Sequence, residues 1–377
     1  MSPTLSADES AMLDHLGKFC REVLQTKAAE LDETETFATV HLPALAEMGV
    51  MGMNLPEEYG GVGLSGLALY QAVELIAGAC GSTASMVTAQ FLATDSILLG
   101  GDEALKARYL PGAAAGERLG AFALTEPGAG SNPADMKTVA VKEGEGYRLR
   151  GSKCFISNAG AADFLVVYAK TDPSAGARGI SAFVVDGGTP GLDVGRAEKT
   201  MGLRGGHVFP VSLDCWVPAN ARLGEEGTGF RTAMKVLDHG RIEVAAQATG
   251  IAAAALEAAI SYAKEREVGG HPIAEFQGLQ WMLADMATDL AAARALGHLA
   301  AVRRGGSVRF SSEAAHAKLF ASEAAYRIAD KALQIHGGYG YTRDFPVERY
   351  VRDLRIFRIY EGSSEVQRNI IARDLLK

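Results

Sequence analysis

Close to its C-terminal end the chain reads Arg358-Ile359-Tyr360-Glu361-Gly362-Ser363-Ser364-Glu365-Val366-Gln367-Arg368. Glu361 follows Ile359 and Tyr360, which are expected to shield it from water, and Gly362 after it lets a ligand approach the backbone closely. A carboxylate in a partly dry setting has its charged form disfavoured, so its pKa rises towards the range useful to a base. The same letters also fit a helix entry. Ser363 or Ser364 would be the N-cap, and Glu365 would sit in the first turn where negative charge suits the helix dipole. Local chemistry alone leaves both readings open.

Working back from this stretch, the spacing predicts long Ala-rich helices over about Phe230 to Arg266, Phe276 to Gly305 and Ser312 to Ile335, with a last one from Ser363. Ala suits helices that pack closely, and four of them suggest a bundle. Ser311 or Ser312 is the expected cap of the third, and Gly337 and Gly338 its end. Between Gly120 and about Asn220 the period is strand-like. Phe164 to Ala169 and Ser181 to Val185 are β-rich runs, and Gly144-Glu145-Gly146 reads as a hairpin turn. An antiparallel barrel or sandwich is expected there, with Gly224 to Gly229 as the linker to the bundle. From Ala7 to about Tyr109 the pattern is again helical, with Met12, Leu13, Leu16, Phe19, Cys20, Val23 and Leu24 on one face and Pro111-Gly112 closing the block. The expected architecture is therefore α+β and multidomain: an N-terminal all-α domain (1–118), a middle antiparallel β domain (119–225) and a C-terminal four-helix bundle (226–377). Gly61-Val62-Gly63-Leu64-Ser65-Gly66 fits G-x-G-x-x-G, but helices are expected on both sides of it, so it is not read as a dinucleotide-binding turn.

The segment Gln334 to Gln367, QIHGGYGYTRDFPVERYVRDLRIFRIYEGSSEVQ, resembles the C-terminal signature of the acyl-CoA dehydrogenases, and Phe122 to Asn132, FALTEPGAGSN, resembles that family's other signature. The two lie in the family's order and spacing, and the resemblance covers nearly the whole chain, closest to the short-chain and butyryl branch. It implies the acyl-CoA dehydrogenase fold, FAD as cofactor, and conversion of a short or short-branched acyl-CoA thioester to the trans-2-enoyl-CoA. Glu361 would remove the α-proton and hydride would pass to flavin N5, with the Glu361 backbone N–H and a flavin ribityl hydroxyl polarising the thioester carbonyl. In some branches the base comes from the helix near Asp238-His239-Gly240-Arg241, where this chain has Gly240, so Glu361 is the candidate at either family position.

By the same resemblance Phe122, Leu124, Thr125, Gly130 and Ser131 are expected flavin contacts, and Ser131 also faces the substrate. Phe155, Ile156 and Ser157, in KCFISN, match the family's W-I-T/S segment, with Phe in place of the usual Trp. Arg266, Gln277, Gln334, Gly337 and Gly338 match residues that hold the FAD pyrophosphate and adenine across a subunit interface, which implies an oligomer, usually a homotetramer built as a dimer of dimers. Ser363 and Glu365 match adenosine-proximal positions. Asp238, Arg241 and Gly362 match the substrate pocket, although an i,i+3 helix pair of Asp238 and Arg241 would contribute only about 0.2–0.5 kcal/mol and be functionally silent. Asn132, Gly206 and Gly269 depart from the usual Asp, Ser and Phe, and His207 reads as a surface loop residue. The implied electron acceptor is an electron-transfer flavoprotein.

Composition agrees with an ordinary globular protein. Of 377 residues 48% are hydrophobic and 22% charged, and the formal net charge of -8 argues against general nucleic-acid binding. A phosphate-bearing thioester is still admissible, because its sites are local clusters. Four scattered cysteines with no C-x-x-C pair suggest a reducing compartment and neither a disulfide framework nor a metal site. The N-terminus lacks a signal pattern and no stretch of about 18 apolar residues occurs, so the expectation is a complete cytoplasmic chain without a membrane partner. Rival expectations are a carrier-protein-tethered acyl group, a dicarboxylyl- or aryl-substituted acyl-CoA, acyl-CoA oxidase activity, or a non-catalytic flavin-binding scaffold. A dicarboxylyl group wants a cation at the far end of the acyl pocket, and Gly81 to Gly100 offers none.

Overall fold

Helices fill the first part of the chain because its apolar residues recur at three and four. The computed structural model describes residues 4–304 and 309–377. Helix α1 (Ala7–Phe19) opens with a capping box in which Ser6 and Glu9 bond each other's backbone. It passes through a π-type turn at Cys20–Leu24 into α2 (Gln25–Glu33). Leu13, Leu16, Cys20 and Leu24 form the buried face. After α3 (Leu42–Glu47) come α4 (Gly66–Ala79), α5 (Gly81–Gly100) and α6 (Glu103–Ala114). Pro111 does not close α6, as the sequence suggests. The last turn continues to Ala114, because burial of Leu110, Ala113 and Ala114 offsets the hydrogen bond that proline cannot donate. Gly61 and Gly66 belong to a loop and a helix start, and a Cβ on Gly66 would strike the Ala301 carbonyl. Gly66 serves close packing between helices, and Gly61 a close approach to the Leu55 backbone within the loop.

The middle of the chain forms one curled sheet of β1 (Gly120–Ala123), β2 (Val139–Glu143), β3 (Gly146–Ser157), β4 (Phe164–Lys170), β5 (Ile180–Asp186), β6 (Leu192–Val194), β7 (Val208–Pro218) and β8 (Arg222–Leu223), in the order β6-β7-β3-β2-β4-β5-β8 with β1 beside β4. Most pairs are antiparallel, as expected, and Gly144 takes φ +61 in the β2–β3 hairpin turn. Two contacts are parallel: β1 runs with β4 in the register Gly120↔Phe164, and β2 meets β4 at Val139↔Lys170. The intervening hairpin returns the chain in its starting direction, which a period-2 pattern does not reveal. β4 is buried on both faces. Phe164, Val166 and Tyr168 pack towards α5 and α6, and Leu165 and Val167 face the core enclosed by β3 and β7.

Helix α7 (Gly229–Glu265) leads into a small hairpin, β9 (Glu267–Val268) and β10 (His271–Pro272), then α8 (Gln277–Arg304), α9 (Ser311–His336), α10 (Val347–Leu354) and α11 (Ser364–Leu375). α7 is long and apolar enough to cross a membrane, yet 67% of its apolar window is buried, against α4, α5, α8 and α9. It is the core helix of the bundle. α10 is an additional short element, and α9 lacks the expected serine cap: Phe310 holds the cap position, and Ser311 turns its hydroxyl to Asp238.

Candidate active site

Between α10 and α11 the chain makes a single 3-10 turn (Ile356–Arg358) and then a tight loop. Ser363 does cap α11, accepting from the Val366 N–H at 3.4 Å, while Ser364 donates to Glu323 at 2.7 Å. Glu361 sits at φ +50 and Gly362 at φ +90. The left-handed region is uncommon for a residue with a side chain, and such residues concentrate where surrounding structure dictates the geometry.

The expected shield of Glu361 is only half right. Ile359 is 51% exposed and covers little. The carboxylate is instead enclosed from other helices, with Oε2 buried and without a partner. It occupies the space that Gly240 of α7 leaves: a Cβ there would collide with Oε2 and with Leu92 of α5. Burial raises the Glu361 pKa to about 8, Glu243 adds to the rise, and Lys318 and Arg241 oppose it. The Tyr360 phenol is also buried and unpartnered, pushed well up by burial and by Glu361. Among the described residues no acceptor meets the Glu361 N–H.

Asp238 and Arg241 lie on α7 on either side of Gly240, with the Arg241 charge acting on Glu361. Arg241 is buried and donates Nη1–H to Asp238 at 2.5 Å, and Ser311 donates to the second Asp238 oxygen. The pair is thus a buried clamp between α7 and α9. Sequence reasoning missed what lies behind it. His239 Nδ1 lies 2.7 Å from Asp95, Arg304 donates to Asp95 at 3.0 Å and to Glu243 at 2.6 Å, and Asn54 donates to Asp95 at 2.7 Å. Burial would raise Asp95, but Arg304 and His239 hold it below the usual carboxylate range, whereas burial pushes Glu243 up. Lys318 was missed as well, since a lysine in an Ala-rich helix reads as a surface residue; it is fully buried, 2.8 Å from the Gly362 carbonyl.

The two β-domain segments that the sequence holds apart are adjacent. A register shift in the β3–β7 ladder between Lys153 and Ile156 makes a bulge. Cys154 N–H donates to Thr125 O at 3.0 Å, and the buried Lys153 ammonium bonds Leu124 O at 3.1 Å and Glu126 at 2.8 Å. Glu126 also accepts from the backbone N–H groups of Lys137 and Thr138. Burial lowers the Lys153 pKa to about 8, against the pull of Glu126. The bulge turns Phe155 out at φ +57 and 64% exposure, while Ile156 is buried and Ser157 half-buried. Phe122 leans on Tyr168, and Leu124 is buried beneath the loop. Gly130 and Ser131 are exposed, and a Cβ on Gly130 would meet nothing within 4 Å. Asn132 donates to Asp135 at 2.8 Å, a local contact that two carboxylates would repel. An exposed aromatic on a braced bulge, beside bare backbone and free hydroxyls, fits a planar ligand with a polar rim such as a flavin.

α5 links the two regions. Its Leu92 borders the Glu361 carboxylate, its Met86 carbonyl accepts from Asn158 just after β3, and its Gln90 accepts from Gly120 at the start of β1.

The other expected cofactor residues lie elsewhere. Arg266 ends α7 with its guanidinium 5.8 Å from the Tyr339 ring centroid, Gln277 opens α8, and Gln334, Gly337 and Gly338 close α9, all exposed at one end of the bundle. From Lys318 to Gly337 along α9 is roughly 28 Å at 1.5 Å per residue. Glu361 and this group therefore stand at opposite ends of the same rod. Gly269 forms the β9–β10 turn at φ +64. Glu365 is exposed, with Arg368 at 3.8 Å. His207 is not a free surface residue: it stacks on Phe37 at 4.7 Å and bonds the Glu35 carbonyl.

Three domain families cover this chain: acyl-CoA dehydrogenase N-terminal domain over residues 6–117, middle domain over 121–215 and C-terminal domain over 227–376. The chain belongs to the acyl-CoA dehydrogenase family of FAD-dependent oxidoreductases. Acryloyl-CoA reductase (NADH) of Anaerotignum propionicum is 43% identical over 98% of this chain and 95% of its own. The short-chain specific acyl-CoA dehydrogenase of Clostridium acetobutylicum is 41% identical over the full length of both. The solved butyryl-CoA dehydrogenase of Megasphaera elsdenii superposes with a TM-score of 0.97 at 40% identity, covering both chains completely.

Proposed function

We propose that this protein dehydrogenates a short or short-branched acyl-CoA between its α- and β-carbons, with Glu361 taking the α-proton. One observation carries the reading: an unpartnered carboxylate oxygen, buried in the gap at Gly240, whose pKa is raised to about 8. A C–H beside a thioester carbonyl is weakly acidic, so a base is useful in proportion to its basicity and its positioning. The free Glu361 N–H is a fixed donor for the oxygen on which charge develops. Arg241 and Lys318 stabilise the ionised form of the base before the proton is taken.

FAD, when bound, supplies the hydride acceptor that no side chain can provide. Thr125, Ser131 and Ser157 would hold its polar edge, with Phe155 against its ring face. Arg266, Gln277, Gln334, Gly337 and Gly338 would hold the FAD of a neighbouring subunit, a division supported by their distance from Glu361 along α9. We infer a homotetramer on that basis, with domain boundaries near 118 and 225, a cytoplasmic location and an electron-transfer flavoprotein as electron acceptor, in line with the family resemblance.

The likeness to an acryloyl-CoA reductase fits the same site, because a base positioned for α-proton removal also returns that proton in the reverse direction. A dicarboxylyl substrate is disfavoured: Arg304, a cation beside the Asp95 turn of α5, is already engaged by Asp95 and Glu243.

The test is anaerobic titration of the yellow protein with propionyl-, butyryl-, isobutyryl-, isovaleryl-, glutaryl-, aryl-substituted and octanoyl-CoA, following visible absorbance. Bleaching by one or two short members is expected. Glu361→Gln should keep FAD and lose roughly 10²–10⁴ in rate. Unchanged turnover in that variant would remove Glu361 from the role.

A further inference from the structure

The interior holds one ammonium that the reaction as described uses only in passing. Lys318 lies in the second turn of α9 with no exposed surface, and its Nζ donates to the Gly362 carbonyl at 2.8 Å. That carbonyl has a second donor, Gln367 Nε2, also at 2.8 Å, and the same amide reaches the Glu361 carbonyl at 3.2 Å. The left-handed Glu361-Gly362 turn is thus clamped by two side chains from two helices. A neutral amide already satisfies the carbonyl, so holding the backbone does not by itself account for a buried charge, which is costly to desolvate.

The charge has a second object. Glu361 is faced by Glu243 and Arg241 from α7 and by Lys318 from α9, with the Tyr360 phenol beside it. Lys318 in turn is faced by Glu361, Arg241, Glu323 and Glu365. Glu243 and burial drive the base towards its neutral form, and Lys318 and Arg241 drive it towards the carboxylate. Arg241 is committed to Asp238, whereas Lys318 is fixed to the turn that carries the base.

We propose that Lys318 is the positioning residue of the base: its ammonium fixes the Glu361-Gly362 turn through the Gly362 carbonyl and, from that fixed point, sets the pH at which Glu361 becomes a carboxylate. The inference rests on Glu361 being the base. Burial brings Lys318 itself down to about 8, so the two groups titrate in the same range and each biases the other.

The experiment uses FAD-loaded Lys318→Gln and Lys318→Arg. Two readouts are taken across pH 5 to 10. One is the carboxylate infrared difference spectrum of each protein against its Glu361→Gln counterpart; the other is exchange of the α-protons of butyryl-CoA in D2O. Lys318→Gln keeps a donor and loses the charge. Its Glu361 midpoint should rise by about one unit or more, the low end of the range expected for an opposite charge close by, and the exchange profile should move with it. Lys318→Arg should keep the midpoint within half a unit of wild type.

An unmoved midpoint in the Gln variant, with exchange lowered equally at every pH, overturns the inference in favour of simple packing. A rise of a full unit in the Arg variant overturns it as well, and that arm stands even where the Gln variant does not fold. The two readings fail separately: full activity of Glu361→Gln removes the base assignment, whereas an inactive Glu361→Gln with an unmoved midpoint in Lys318→Gln removes only the role of Lys318.

Discussion

Replacing Glu361 by Gln should stabilise the protein while it slows turnover, and the gain should grow with pH. The carboxyl has an ordinary pKa near 4.5 in the unfolded chain and about 8 in the folded one. Below about pH 4.5 both states carry the proton and the residue has no pH-dependent effect. As pH rises from there the unfolded chain releases the proton and the native state keeps it, so native stability falls, and the loss is complete above about 8. At about 1.4 kcal/mol per unit this amounts to about 3 kcal/mol at pH 7 and about 5 kcal/mol at the upper limit. The variant also deprives Lys318 of an opposite charge, which takes back part of the gain. A net difference of about 2 kcal/mol near pH 8, shrinking to nearly nothing at pH 4.5 to 5, is therefore expected. Thermal unfolding of FAD-loaded wild type and variant, side by side through that range, measures it, and groups common to both proteins cancel in the difference. A difference that stays flat with pH, or a wild type that outlasts the variant at pH 8, would refute a buried, proton-retaining Glu361.

Gly240→Ala places a Cβ where the Glu361 carboxylate lies. It should cut the anaerobic bleaching rate at least tenfold with FAD still bound, and a wild-type rate would mean that the carboxylate does not rest there. Lys153→Met leaves the buried Glu126 without its cation. Removing one partner of such a pair costs about 3–5 kcal/mol, so a lowered melting temperature and loss of FAD on gel filtration are expected, and full FAD retention would detach the loop from cofactor holding. Glu243→Gln removes a negative group that raises the Glu361 pKa. The rising limb of the pH–rate profile should move to lower pH, and a limb that stays put would show that Glu243 is already neutral in the working enzyme.

The two motif loops were legible because each is a short run whose chemistry travels with its letters. Ser363 as a cap, the Gly144 turn and the helical periods are of that kind. What surrounds Glu361 was not legible in the same way. Gly240, Leu92, Glu243 and Lys318 come from three helices, and none stands near Glu361 in sequence. Ile359, the neighbour in sequence, proved to be half exposed because the left-handed turn at Glu361 aims successive side chains apart. The network of Asp95, His239, Arg304 and Glu243 was hidden for a related reason, since i to i+4 spacing identifies His239 and Glu243 as neighbours on α7 but says nothing of the α5 and α8 residues that meet them. The parallel pairing of β1 with β4 escaped notice because alternation is identical in both strand directions.

The steric relation between Gly240 and Glu361 bears on how such a site can change over generations. With Glu361 in place, any side chain added at position 240 displaces the Glu361 carboxylate from its present seat. A second carboxylate introduced on α7 therefore disturbs the first as it arrives, so the two placements compete for one space and a change from one to the other carries a cost at its first step.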